Sequence, residues 1–178
     1  MCARSFVGDD PFAILYGDDM VFSETPVCKQ LADVYAKYGK PVVGLKKVSK
    51  EQLRKFCSMK AELISGSENE YSVTDMIEKP APGQEFTDLA ILGRVLLTPE
   101  IFDILDRTPA GAGGEIQLTD AMAEYARLYG MTGLEFEGKR FDLGSKLGFL
   151  EANLYAGTKH SEVGPAFTEM LKEFVKGL

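Results

Sequence analysis

The sequence has no tryptophan, a single histidine (His160) and only three cysteines (Cys2, Cys28 and Cys57). One histidine excludes metal sites built from several histidines, and it leaves only that residue for a histidine-dependent catalytic triad. The cysteines are odd in number, widely spaced and lack a CxxC pair, so neither a disulfide framework nor a zinc site is predicted. This cysteine usage favours a reducing cytoplasm.

Long apolar runs and an excess of basic residues are also missing. No stretch approaches the roughly 20 residues of a membrane span, and the N-terminus lacks the apolar core of a signal peptide. Lys and Arg number 20 against 27 Asp and Glu, a formal net charge of -7. This charge argues against nucleic acid as a partner, because phosphate backbones require a basic face. An acidic chain can still bind phosphorylated substrates where local lysines or a divalent cation supply positive charge.

The length and composition predict one globular domain. The chain has 178 residues, of which 45% are hydrophobic and 26% charged, and these fractions are ordinary for folded domains. No internal repeat, low-complexity segment or linker interrupts it. We therefore expect residues 1–178 to form a single domain.

The most informative stretch is PFAILYGDDMV, Pro11 to Val21. Its apolar run Phe12 to Tyr16 predicts a buried strand, normally central in a parallel sheet, and the strand ends in Gly17-Asp18-Asp19. Acids at the carboxyl end of a strand face the crevice where α/β proteins bind ligands. The same three residues are also ordinary turn formers, so a metal or ligand site and a simple turn both remain open at this point.

The next segments predict a β-α-β unit over residues 12–48. Thr25 and Pro26 open an amphipathic helix that Gly39 ends, and a strand follows from Pro41 to Val48. Ser49 and Gln52 form a capping box for a short helix to Phe56. Two strands, 59–65 and 71–77, then form a hairpin that leads into Glu78-Lys79-Pro80, where an acceptor and a cation could reach one cleft.

The second half alternates strands and helices again. We expect a strand over 88–97, a helix from Thr98-Pro99 to Leu105, a helix from Thr119, and short strands near 134–136 and 140–141. The glycine-rich loop 109–114 matches neither a P-loop nor GxGxxG, so it is interpreted as a flexible connector. Asp142 ends a strand with Lys146 four residues on. Amphipathic helices over 147–156 and 165–175 suit packing or self-association.

Five motifs follow one another along the chain: LYGDD, IEKP, LAILGRVLL, TPAGAGGEIQLTDA and FDLGSKLGFLEA. In this order they resemble the bacterial UTP-glucose-1-phosphate uridylyltransferases, which are sugar-phosphate nucleotidyltransferases. The resemblance extends from about Phe12 to Phe174. It implies an α/β fold, an incomplete Rossmann-like (GT-A-like) mixed sheet flanked by helices, with C-terminal helices. It also implies UTP and glucose 1-phosphate as substrates and Mg²⁺ as cofactor.

The resemblance assigns roles residue by residue. Asp18 corresponds to a catalytic magnesium ligand and Asp142 to an acid that completes the metal site, while Asp19 is a neighbour with no assigned role. Gly17 lies with the substrate-binding residues. Glu78 corresponds to a ligand of sugar hydroxyls, Lys79 to a contact of the sugar phosphate, and Lys146 to a catalytic lysine near the phosphates.

Two departures from the family pattern matter. Phe56-Cys57 stands where many relatives have Tyr-Gly, and a cysteine there could weaken sugar binding. The family's G-x-G-T-R signature, which holds the triphosphate, has no match in the sequence. We therefore expect the C-terminal portion of such an enzyme, inactive by itself.

Several alternatives stay open. The chain could be a non-catalytic sugar-phosphate-binding or interaction remnant, a relative that uses another sugar or nucleotide, or a magnesium-binding module outside the family. The resemblance and the apolar strand at Phe12 also predict a homodimer or higher homo-oligomer, because an unpaired strand edge favours association.

Overall fold

The computed structural model describes residues 2–111 and 114–178. The chain divides into a larger unit, residues up to Tyr16 with Ser23–Gly138, and a smaller unit, Gly17–Phe22 with Lys139–Leu178. A single domain over residues 1–178 remains a prediction from the sequence. The predicted connector at 109–114 contains residues 112 and 113, which lie outside the described residues.

The chain contains both helices and strands along its length, as the sequence predicts. In chain order they are α1 (Arg4–Val7), β1 (Phe12–Leu15), β2 (Asp19–Phe22), α2 (Val27–Tyr38), β3 (Val42–Lys47), α3 (Lys50–Leu53), β4 (Cys57–Leu63), β5 (Glu70–Glu78), β6 (Leu89–Leu97), α4 (Ile101–Leu105), α5 (Leu118–Tyr129), β7 (Met131–Glu135), β8 (Lys139–Asp142), α6 (Lys146–Lys159) and α7 (Gly164–Lys176).

The larger unit contains a six-stranded mixed sheet in the order β1-β6-β3-β7-β5-β4. Strands β3 and β7 are parallel, and the other neighbours in this order are antiparallel. A single pair, Ser58 with Ala90, also joins β4 to β6. The mixed sheet with helices confirms the predicted fold class.

Strand β1 is not central, which corrects the expectation drawn from its apolar sequence. It lies at the end of the sheet order and pairs with β6, and the side chain of Leu15 is 55% exposed. Strands β1 and β3 are both antiparallel to β6, so they run in the same direction with β6 between them. The predicted β-α-β unit is therefore present, with β1 at the edge.

Helix α2 shows how the sequence pattern fixes a core face. Val27, Leu31 and Val34 recur at i, i+4 and i+7, and all three are buried. Gly39 ends the helix in the left-handed conformation. Thr25 does not cap the helix, because Pro26 takes the N-cap position and makes no side-chain cap bond.

The capping box of α3 is confirmed in both directions, since the Gln52 amide donates to the Ser49 hydroxyl and the Gln52 side chain accepts from the Ser49 amide. The helix ends at Leu53, earlier than predicted, and the chain enters β4 at Cys57. Strands β4 and β5 then form the predicted antiparallel hairpin.

The smaller unit pairs β2 with β8 in antiparallel register and adds α6 and α7. One side of this strand pair carries an aromatic cluster, in which the ring centroids of Phe22, Phe141 and Tyr155 lie 5.0 to 5.7 Å apart. The Lys139 ammonium lies over the Phe141 and Tyr155 rings. In residues 2–111 and 114–178, none of the helices has the length and apolar character needed to span a membrane.

Glu70 joins α2 to the start of β5 in the larger unit. Its Oε2 accepts hydrogen bonds from the Lys37 ammonium at 2.6 Å and the Tyr38 hydroxyl at 2.5 Å, and its side chain is 13% exposed. Burial alone would raise the pKa of Glu70, but the bonds from Lys37 and Tyr38 together outweigh it and leave that pKa below its ordinary value.

This lowered pKa predicts a loss of stability in acid. The ionised carboxylate stabilises the fold above the ordinary glutamate pKa of about 4.3, and this contribution is lost as the pH falls through the lower folded value. We expect Glu70→Gln to cost about 1–2 kcal/mol at pH 7 and to flatten the pH dependence below about pH 5. Urea unfolding at several pH values measures both effects. Glu68→Gln, at an exposed loop position, is the control, and an equal effect of both substitutions would contradict the prediction.

Candidate functional site

The stretch Gly17-Asp18-Asp19, predicted as a turn, forms a turn followed by the first residue of a strand. Asp18 lies in the turn, and Asp19 begins β2, directly opposite Asp142 on β8. The sequence analysis missed β2, because its four residues follow turn-forming acids and their partner strand is far along the chain. This pairing brings the two predicted metal-ligating stretches to one strand end.

Gly144 shows how closely the carboxylates of Asp18 and Asp142 meet. A Cβ atom at Gly144 would lie 3.1 Å from Asp142 Oδ1 and 3.2 Å from Asp18 Oδ2. The Gly144 amide donates to Asp142 Oδ1 at 3.0 Å, and the Leu143 amide donates to the Asp18 carbonyl at 2.7 Å. The two side chains therefore border one small space beside Gly144, which a larger residue would narrow.

Asp19 is set apart from these two acids. It is 8% exposed and forms an ion pair with Arg140, whose Nε and Nη2 both contact Asp19 Oδ1. Sequence reasoning did not identify Arg140. Its spacing from Asp142, two residues along a strand, was the available signal, because such residues lie on one face.

Lys146 is the first residue of α6 and is exposed. The Ser145 hydroxyl caps this helix by accepting from the Gly148 amide at 2.9 Å. A Cβ at Gly148 would lie 2.1 Å from the Asp142 carbonyl, so glycine is required for the helix to start against β8. A cation in a first helical turn gains nothing from the helix dipole, whereas an anion does. Helix stability therefore does not explain Lys146, and its role near the phosphates stays a prediction.

Glu78 and Lys79 lie at the end of β5, in the larger unit. The Lys79 amide donates to the Phe56 carbonyl at 3.0 Å. Among the described residues, Lys79 is the one non-glycine residue with a positive φ, +45°. Backbone strain of this kind is concentrated at binding and catalytic sites.

Both residues line a cavity of about 630 Å³. Its other charged and polar lining comes mainly from α5, and the ion pairs Arg127 with Asp75 (3.0 Å) and Arg107 with Glu124 (2.7 Å) hold part of that lining in place. The motif EIQLTDA contributes to the family resemblance, but no role was predicted for its side chains from the sequence. The lining residues of α5 and its approach are Gln117, Asp120, Ala123, Glu124 and Arg127.

Cys57 faces the core of the larger unit and is not among the residues that line this cavity. It stands opposite Glu78 in the β4–β5 register and is 4% exposed. Burial, and to a smaller extent the Glu78 charge, raises the pKa of the Cys57 thiol well above its ordinary value, so the group is an unreactive neutral thiol. An effect of this cysteine on sugar binding stays a prediction.

Within the described ranges, no cluster of three or more His, Cys, Asp or Glu side chains could hold a metal ion. Any cation at Asp18 and Asp142 would therefore take its remaining ligands from water or a bound phosphate. This is the usual way in which Mg²⁺ is held, by one or two carboxylates.

Comparison with known proteins identifies close relatives. No family model matches the chain. The chain is 40% identical over 177 residues to the UTP–glucose-1-phosphate uridylyltransferase of Bacillus subtilis, and 41% identical over 176 residues to that of Staphylococcus epidermidis. Each alignment covers 99% of this chain and 59% of the relative.

Solved structures of UDP-glucose pyrophosphorylases also match the chain. A UDP-glucose pyrophosphorylase complexed with UDP-glucose matches with a TM-score of 0.83 and 35% identity, over 89% of this chain and 60% of that one. The UTP-bound enzyme of Acinetobacter baumannii matches with a TM-score of 0.85 and 28% identity, over 97% of this chain and 59% of that one. The chain thus matches UTP–glucose-1-phosphate uridylyltransferases over 99% of its own length, and it spans about 59% of the length of these curated relatives.

Proposed function

We propose that this chain supplies the metal-binding and sugar-phosphate-binding residues of a UTP–glucose-1-phosphate uridylyltransferase. The observation that carries the proposal is the meeting of the Asp18 and Asp142 carboxylates around Gly144, from segments at opposite ends of the sequence. The relatives named above, which align over 99% of the chain, support the same activity.

In the proposed reaction, a phosphate oxygen of glucose 1-phosphate attacks the α-phosphorus of UTP. One P–O bond forms, the bond to the β-phosphate breaks, and pyrophosphate leaves with the electron pair. No protein nucleophile is needed, so the protein contributes position and charge. Lysines near the phosphates stabilise the charge that develops there.

Magnesium fits the smaller unit as a cofactor. Asp18 and Asp142 would hold it, because both present carboxylate oxygens to the space that Gly144 leaves open. When bound, the ion would neutralise phosphate charge. Lys146, at the start of α6, would add a protein cation for the same anion.

The cavity of the larger unit suits a sugar phosphate. Glu78 supplies an acceptor for sugar hydroxyls and Lys79 a cation for the phosphate, and both line the same 630 Å³ space. Gly17, which precedes the acids in the smaller unit, is assigned to substrate by the resemblance alone. A relative that uses another sugar or base remains the second candidate, because the sequence has no match to the G-x-G-T-R signature.

The missing signature also predicts that the chain alone turns over little or no substrate. A reducing cytoplasm stays the predicted compartment, in keeping with the free thiols of Cys2, Cys28 and Cys57.

Activity and sugar-phosphate binding separate the candidate functions. We expect no pyrophosphate release above background from UTP, glucose 1-phosphate and Mg²⁺, while calorimetry still detects glucose 1-phosphate binding. Glu78→Gln should weaken that binding about ten- to a hundredfold, through loss of a charged hydrogen-bond acceptor worth roughly 1.5–3 kcal/mol. Glu62→Gln, at an exposed position on β4, is the matched control. Release of pyrophosphate at rates typical of enzymes, about 1–1000 per second, would show that the signature is dispensable.

Substitutions at the acids test the metal site. Asp18→Asn and Asp142→Asn should each remove the Mg²⁺ dependence of glucose 1-phosphate binding, because each deletes one of two anionic ligands. Gly144→Ala should weaken it less, since its methyl group forces the two carboxylates to move by a few tenths of an ångström. Titration calorimetry with and without Mg²⁺ measures the difference. The control is Asp9→Asn, at an exposed turn. If both acid variants kept the metal dependence, Asp18 would be a turn former and not a metal ligand.

We also propose that two copies associate through β1. The Tyr16 amide donates to Gly93, so alternation in the antiparallel pair directs the backbone groups of Ala13 and Leu15 away from β6. Beside this edge lies a cavity of about 670 Å³, lined by apolar side chains that include Phe6 and Ile116. A second β1 would satisfy the outward backbone groups and cover part of this apolar surface.

Light scattering at micromolar concentration tests the association. The unsubstituted chain should be a dimer, and Leu15→Lys should be monomeric, because a lysine on an edge strand opposes strand pairing. Leu128→Lys, at a similarly exposed leucine on α5, should leave the dimer intact. A stable monomer of the unsubstituted chain would refute the proposal.

A further inference from the structure

The β2–β8 pair has two chemically different faces. Cross-strand partners lie on the same face of a sheet, and alternate residues along a strand share a face. Asp19 pairs with Asp142 and Val21 with Arg140, so these four side chains share one face. The opposite face carries the aromatic cluster of Phe22 and Phe141 with Tyr155.

Asp19 and Asp142 are therefore two carboxylates placed directly opposite each other. Like charges in this position destabilise a strand pair, and they also form a natural cation site. Arg140, diagonal to Asp19, neutralises one of the two carboxylates by pairing with Asp19. Two of its nitrogens contact one carboxylate oxygen of Asp19, and its side chain is only 17% exposed.

The ion pair changes what the neighbouring acids can do. Asp19 is 8% exposed and accepts hydrogen bonds from Arg140, whereas the Asp142 carboxylate accepts from the Gly144 amide beside Asp18. A buried carboxylate held by a guanidinium is not free to turn toward a metal. Two carboxylates, Asp18 and Asp142, are left for it.

We propose that Arg140 is a positioning residue that limits the metal site to two carboxylates. The inference rests on the proposed metal site at Asp18 and Asp142. A third carboxylate would bind the cation tightly without substrate, fill a coordination position and repel incoming phosphates. With Asp19 withdrawn, the site binds the free cation weakly and binds it well only together with a polyphosphate.

This proposal makes an unusual prediction, because removing a positively charged side chain should create a tighter cation site. Mn²⁺ alone serves as the probe, and electron paramagnetic resonance measures the free ion in the presence of the full chain. Arg140→Met should tighten Mn²⁺ binding at least about tenfold in the absence of nucleotide, since affinity rises with ligand charge. The double variant Asp19→Asn/Arg140→Met should return to the affinity of the unsubstituted chain.

Controls separate this effect from general damage. Arg107→Met breaks a guanidinium–carboxylate pair in the larger unit and should leave Mn²⁺ binding unchanged. Arg140→Lys keeps the positive charge and should stay within about threefold of the unsubstituted chain. If Arg140→Met does not fold by circular dichroism, Arg140→Gln replaces it, with the same expected tightening.

Unchanged or weaker Mn²⁺ binding by a folded Arg140→Met or Arg140→Gln variant would overturn the role of Arg140, and so would tight binding by the double variant. Failure of the underlying metal site has a different signature. In that case Asp142→Asn, made in the otherwise unsubstituted chain, would leave Mn²⁺ binding to the nucleotide-free chain unchanged. The two results come from different variants and are read independently.

Discussion

The pairing of β2 with β8 is the constraint on which the candidate metal site depends. Asp19–Phe22 and Lys139–Asp142 are separated by most of the chain, yet their register sets Asp19 opposite Asp142. A slip of one residue would turn every side chain of β2 to the other face. The aromatic cluster on one face and the Asp19–Arg140 ion pair on the other both oppose such a slip, because each requires this register.

Much of the fold could be predicted from local patterns. The helix α2, the capping box at Ser49 and the β4–β5 hairpin depend on interactions within a few residues, so their signals lie in short stretches of sequence. The acids Asp18 and Asp142 and the pair Glu78–Lys79 were found differently, through the resemblance of ordered motifs. The structure adds that the carboxylates of Asp18 and Asp142 both approach Gly144.

Several features could not be predicted from the sequence, because they depend on residues that are far away along the chain. Strand β2 has four residues and a partner more than 100 residues away, and nothing in its own sequence specifies β8. The apolar run of β1 was typical of a central strand, but the position of a strand in a sheet depends on which neighbours the chain supplies. The positive φ of Lys79 had no signal either, because glycine is the residue that adopts this conformation readily.

Net charge poses the remaining physical problem, since a chain of charge -7 is proposed to bind two phosphorylated substrates. Local cations answer part of it: Lys79 lines the cavity of the larger unit, and Lys146 opens α6. In the smaller unit two carboxylates face the same space, so a phosphate could approach only with a divalent cation. Withdrawing Asp19 into an ion pair lowers the negative charge that the phosphate meets. In the proposed site, Arg140 would therefore favour phosphate binding without contacting the phosphate.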